Sequence, residues 1–190
     1  MNVPGFLEEL RAGPASQSVL LALEFLILTA ARTGEVLGAK WSEIDLQANL
    51  WTIPAGRMKA KRTHIVPLSL RAVAILKDAA KLPRRGDYVF PGIESAKLSN
   101  MALLMLLRRM GKDCTAHGFR SAFRTWAAEK TNFPNQLCEW ALAHGITDKT
   151  EASYNRTDQR DRRRKLMAAW ETFLSGGATL VQLKSRKAAN

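Results

Sequence analysis

The sequence predicts a mainly helical domain with one small antiparallel β-sheet, an α+β fold. Apolar stretches of helical length fill most of the 190 residues. A single window, Trp41 to Pro67, switches to short alternating runs typical of strands. No segment recurs at the spacing of roughly 20–50 residues that marks a solenoid.

Asn2 is placed to cap a short helix over Pro4 to Ala12, which Gly13-Pro14 terminates. The next helix begins near Ser18, and its run of Leu20, Leu21, Leu23, Phe25, Leu26, Ile27 and Leu28 leaves almost no polar face. In a soluble protein that pattern marks a helix surrounded by others. Leu50 to Ile53 and Thr63 to Val66 read as strands joined by a basic hairpin, Gly56 to Arg62, and Ser42 to Asp45 as a third strand before a turn. Ser69 caps a helix running to about Lys81. Tyr88-Val89-Phe90 is too short to assign. Ser99 then caps a helix carrying Met101 to Leu107 and ending at Arg108-Arg109. Further helices are expected over Arg120–Glu129, Pro134–Ala143, Lys149–Asn155 and Asp158–Leu174, the last with Leu166, Trp170 and Phe173 on one stripe. One domain over 1–174 and a loose tail over 175–190 follow.

Twenty-nine Lys and Arg against seventeen Asp and Glu give a net charge of +12, which suits a polyanionic partner. Cys114 and Cys138, the two cysteines, lack C-x-x-C spacing and read as buried or free thiols. The apolar run ending at Ala31 is far shorter than the roughly twenty residues a membrane span requires. With no signal peptide visible, a cytoplasmic protein without membrane contact is expected.

Four stretches combine reactive side chains with turn chemistry: Ala31-Arg32-Thr33-Gly34-Glu35, Arg57-Met58-Lys59-Ala60-Lys61, His117-Gly118-Phe119-Arg120, and Leu142-Ala143-His144-Gly145 followed by Tyr154. Each alone is weak evidence, since an isolated Arg, His or Tyr is usually surface charge or packing. In this order they are distinctive. They resemble the tyrosine recombinase (phage integrase) family, whose signature along the chain is Arg, Lys, His-x-x-Arg, His or Trp, and Tyr. The resemblance covers about Leu7 to Leu174 and lies nearest the integrases of temperate phages and genomic islands.

The resemblance implies the tyrosine recombinase catalytic-domain fold and six catalytic positions: Arg32, Lys59, His117, Arg120, His144 and Tyr154. Val66-Pro67-Leu68 sets the hairpin register and favours Lys59, with Lys61 as the alternative. Arg32 and Arg120 would hold the phosphate, because guanidinium offers a rigid fork of donors and stays charged. A phenol of reference pKa about 10 needs help to ionise. His117 is the candidate base for Tyr154, Lys59 would protonate the departing 5′ oxygen, and His144 would hydrogen-bond a phosphate oxygen.

The product would be a 3′-phosphotyrosyl link that keeps the energy for rejoining, so neither ATP nor a metal or other cofactor is expected. Three scattered histidines suit no metal site. Double-stranded DNA at attachment sites is the expected partner, together with other recombinase protomers. Lys61, Arg62, Arg156 and Arg160 are candidate DNA contacts. The run Arg156, Arg160, Arg162, Arg163, Arg164 and Lys165 reads either as a phosphate track or as a solvated helix face.

The family usually carries an upstream DNA-clamping domain for which this length leaves no room, so an excised catalytic domain or a truncated product is expected. The competing readings are a DNA-binding remnant without recombination activity, supercoil relaxation of the type IB topoisomerase kind, and, least favoured, a protein-interaction role without nucleic acid.

Overall fold

A computed structural model describes residues 2–83, 86–92, 96–144 and 156–177, with side chains in the last stretch from residue 159 onward. The helices are α1 (Val3–Arg11), α2 (Gln17–Thr29), α3 (Thr33–Leu37), α4 (Leu70–Ala79), α5 (Ala102–Arg109), α6 (Gly118–Lys130), α7 (Asn135–Ala141) and α8 (Arg156–Leu174). Between α3 and α4 lies a three-stranded antiparallel sheet of order β1 (Ile44–Asp45), β2 (Leu50–Ile53) and β3 (His64–Pro67). Trp51 faces Ile44 on one side and Val66 on the other.

Helix α2 is the axis of the domain, as its all-round apolar surface predicts, with Leu20 to Leu28 buried throughout. The one acid in that run, Glu24, is buried at 2 % exposure and clamps its neighbours. Its carboxylate accepts from Arg11 at 2.7 Å and from Arg71 at 2.8 and 2.9 Å, joining α1, α2 and α4. Burial works against the charge, but the hydrogen bonds from Arg71 and Arg11 hold its pKa below the ordinary value.

Helix α8 closes the other side. Trp170 is fully buried, stacks on Phe173 at 5.5 Å, meets Phe123 edge-on at 5.4 Å, and donates its indole N–H to the Ile27 carbonyl at 2.8 Å. From the same helix Arg163 donates to the Ile65 carbonyl at 2.8 Å and Arg164 to that of Ala48 at 3.1 Å. Two members of the basic run are therefore turned inward as anchors on the sheet, neither tracking phosphates nor simply solvated.

Most expected elements appear within a few residues of their predicted bounds. The strand expected from Ser42 shortens to Ile44–Asp45 because Trp41–Glu43 forms a 3₁₀ turn. Glu43 folds back there to accept from the Lys40 N–H at 3.4 Å and the Trp51 indole at 3.0 Å. Tyr88 makes a single antiparallel bridge to Lys40. Ser69 stands at the head of α4 without a side-chain capping bond, unlike Asn2, which accepts from Gly5 at 3.4 Å. Both cysteines are free, Cys138 buried and Cys114 half-buried. The helix expected over 149–155 and the tail beyond 177 lie outside the described residues. Among the described residues no helix is long and apolar enough to cross a membrane.

Candidate active site

The site is built where α2 ends. Ala30 caps α2 in the left-handed conformation, φ 49°, and the chain turns to present Arg32 at the head of α3. Glu35, one turn on, accepts from the Arg32 backbone N–H at 2.8 Å and from its guanidinium at 2.8 Å. The buried carboxylate thus caps its own helix and sets the direction of the arginine. A short helix with an acid in its first turn also has a favourable dipole.

Arg120 comes from the first turn of α6 and is buried at 4 % exposure. Its guanidinium donates to the carbonyl of Ala30 and, at 2.6 Å, to that of Leu142, and lies 3.4 Å from His144 Nε2. Ala143, between those last two residues, is also left-handed at φ 51°. Non-glycine residues rarely adopt this conformation, which costs of order 1 kcal/mol or more each. Here two of them shape the backbone around one guanidinium. Burial, and then Arg32, bring the Arg120 pKa down to about 10, so it stays charged at neutral pH. Three of its N–H groups are engaged, which leaves two of the five that guanidinium carries for an oxyanion.

His144 is held from behind. Its Nδ1 is 2.5 Å from Glu139 Oε2, and the other carboxylate oxygen accepts from Arg124 at 2.6 Å. Burial opposes the Glu139 charge, but hydrogen bonds from His144 and Arg124 keep its pKa below the ordinary value. A carboxylate accepts and a guanidinium only donates, so these partners favour the tautomer with the proton on Nδ1.

Arg120 and His144, expected from sequence, therefore meet, and Arg32 stands close enough for its charge to act on Arg120. His117 is exposed at the head of α6. Lys59 is exposed in the β2–β3 hairpin, where the Lys61 N–H closes a turn onto the Met58 carbonyl at 3.0 Å and Lys61 itself is left-handed at φ 53°. Lys61 and Arg62 are exposed in the same hairpin and Arg160 is half-buried on α8. Tyr154 lies outside the described residues, and Arg156 is described in backbone only.

Sequence reasoning missed Glu35, Glu139 and His64. Glu35 lies within the first box, and its three-residue spacing from Arg32 is a capping-box signal. Glu139, five residues before His144, becomes its neighbour only because α7 ends between them. His64 begins β3 and is half-buried. Burial, and then Arg163, lower its pKa to about 4, with Glu35 and Arg120 the other charges acting on it.

His64 gives a pH prediction. Its folded pKa lies below its ordinary 6.5, so above 6.5 both folded and unfolded states hold it neutral and it adds no pH dependence. As pH falls towards 4 the unfolded chain takes the proton and the folded one does not. Stability should drop by about 3 kcal/mol across that window. Urea melts at several pH values should show this component missing in His64→Asn, and equal slopes in the two proteins would refute it.

Residues 2–160 match the phage integrase family. The prophage integrase IntA of Escherichia coli K12 is 33% identical over 190 residues, covering 96% of this chain and 46% of that protein. Among solved structures, an integrase from mycobacterium phage Brujita superposes with a TM-score of 0.65 at 24% identity, covering 85% of this chain and 54% of that one. XerH site-specific recombinase, solved bound to its difH substrate as a pre-cleavage complex, superposes at 0.59 with 20% identity, covering 84% of this chain and 50% of that one. The chain spans about half the length of the relatives it matches. With its mainly helical fold, three-stranded sheet and match over residues 2–160, the chain belongs to the phage integrase family of tyrosine recombinases.

Proposed function

We propose that this chain is the catalytic portion of a site-specific DNA recombinase that integrates DNA through a 3′-phosphotyrosyl intermediate on Tyr154. The observation that carries the reading is Arg120 beside His144 and within reach of the charge of Arg32, each guanidinium with its direction fixed by buried acceptors. A phosphodiester repels nucleophiles through its own charge, so catalysis needs donors already in place where charge develops. Two guanidinium groups held by protein carbonyls and a carboxylate meet that need with little reorganisation.

The Tyr154 oxygen attacks phosphorus, with His117 accepting the phenolic proton, and the bond to the 5′ oxygen breaks as Lys59 protonates it. His144, braced by Glu139, accepts from Arg120 and helps aim that guanidinium at a non-bridging oxygen. Reversal with another strand's 5′ hydroxyl completes the exchange and releases Tyr154. The net charge of +12 supports duplex DNA as the partner, with Lys61, Arg62, Arg156 and Arg160 as outer phosphate contacts. Further protomers on the same DNA, and a bacterial cytoplasmic setting on the nucleoid, belong to this reading.

The test is a nicked duplex carrying a candidate attachment sequence, incubated with wild type and Tyr154→Phe without added metal and resolved on a denaturing gel. A covalent protein–DNA band from the wild type and none from the variant is expected. No band despite demonstrated binding would replace this reading with a DNA-binding remnant.

A further inference from the structure

Arg57 belongs to no part of the chemistry above, yet it is tied into the site more firmly than a hairpin residue needs to be. It ends the 3₁₀ turn Ala55–Arg57 that leads from β2 into the lysine hairpin. Its Nη2 donates to the Glu35 carbonyl at 2.6 Å, and its Nε lies 3.3 Å from the Glu43 carboxylate. The guanidinium also lies against Gly38, where a methyl group would come within 2.8 Å of Nη1. Glycine is needed there for the close approach and not for its backbone angles, since φ is −98°.

Two consequences meet at Glu35. Its side chain holds Arg32, and its carbonyl holds Arg57. Lys59 stands two residues beyond Arg57, and Met58 between them is buried at 3 % exposure. The start of the hairpin is thus fastened to the helix that presents the first phosphate-binding arginine. The lysine beyond it is free in solvent at its tip.

We infer that Arg57 is a positioning residue for Lys59: by bonding the Glu35 carbonyl it holds the lysine hairpin in register with Arg32, so that acid and phosphate clamp meet the same phosphate. This rests on the reading of Lys59 as the group that protonates the departing 5′ oxygen. Arg57 itself touches no reacting atom. Its loss should leave the phosphate clamp intact and impair leaving-group protonation alone.

A 5′-bridging phosphorothiolate separates these effects. Replacing the bridging oxygen with sulfur makes the leaving group a thiolate, which departs without a proton because thiols ionise near pH 8.5. Arg57→Met keeps the apolar stem and removes the donors. On the ordinary nicked duplex it should form the covalent complex about tenfold to a hundredfold more slowly than wild type, the usual effect of a misplaced group. On the phosphorothiolate duplex it should come within about threefold of wild type, as should Lys59→Ala. Gly38→Ala, which pushes the guanidinium away while leaving Arg57 in the sequence, should show the same signature.

Hydrogen exchange on the free chain supplies a readout without DNA. Amides of the hairpin around 58–63 should exchange at least about fivefold faster in Arg57→Met, with those of α2 unchanged. Hairpin exchange at the wild-type rate would overturn the inference. So would a cleavage defect that sulfur does not relieve, because Arg57 would then act on something other than the proton delivered to the leaving group. A wild type that binds but cleaves neither duplex would instead sink the recombinase reading. Wild-type cleavage matched by the variant would sink the positioning role alone.

Discussion

Arg120→Lys should slow formation of the covalent complex by about a hundredfold to a thousandfold, the usual effect of removing one preorganised donor from a charge-stabilising site. Arg120 spends three N–H groups on the Ala30 and Leu142 carbonyls and His144, and still has two to offer a phosphate. An ammonium group has three donors in all and no planar fork, so it cannot satisfy both carbonyls and clamp an oxyanion. Charge is the second difficulty. Burial and Arg32 already bring the Arg120 guanidinium down to about 10. Lysine starts near about 10.4, and the same surroundings would carry it within reach of neutral pH. The buried carbonyls left without partners should also cost about 1–3 kcal/mol of stability. Time courses on the nicked duplex at saturating protein isolate the chemical step, and a rate within tenfold of wild type would show that Arg120 is structural only.

The largest stability loss is expected at Trp170→Ala, about 3–5 kcal/mol. That is a large share of the roughly 5–15 kcal/mol by which domains are usually stable. Trp170 is fully buried, contacts Phe123, Trp126 and Phe173, and gives the Ile27 carbonyl a second hydrogen bond beside that from Ala30. The cavity and the lost indole bond both fall on the joint between α8 and the central helix. Urea unfolding should show a lower midpoint with little change in slope, and a loss below about 1 kcal/mol would contradict the packing described.

The fold was legible in sequence because its signals are local. The apolar run of α2, the alternation of β2 and β3, and the glycine and proline stops depend on neighbours in the chain. Arg32, Arg120 and His144 were legible because their boxes keep an order that the family resemblance makes readable. The groups that brace them were harder to see. Glu35 is near Arg32 in sequence, but that its carbonyl also receives Arg57 depends on the sheet folding back over α3. His64 reads as one more strand residue, and only the folded chain brings the charges of Arg163, Glu35 and Arg120 to bear on it. Arg163 and Arg164 carry the same charge as their exposed neighbours, and only tertiary placement shows that they serve the sheet.

The bond between Trp170 and Ile27 also sets a timetable for the newly made chain. The two residues are 143 positions apart. At the usual 5–20 residues per second, the ribosome delivers the tryptophan roughly 7–30 s after the carbonyl it will bond. During that interval the aromatic face awaiting α8 stays open, as does the outer edge of β3, whose Ile65 carbonyl is later taken by Arg163. An uncovered strand edge beside exposed apolar surface is the usual template for pairing with another chain. Arrival of α8 therefore ends the period in which the nascent protein is most exposed to aggregation, and synthesis stalled before residue 163 should leave it dependent on chaperones.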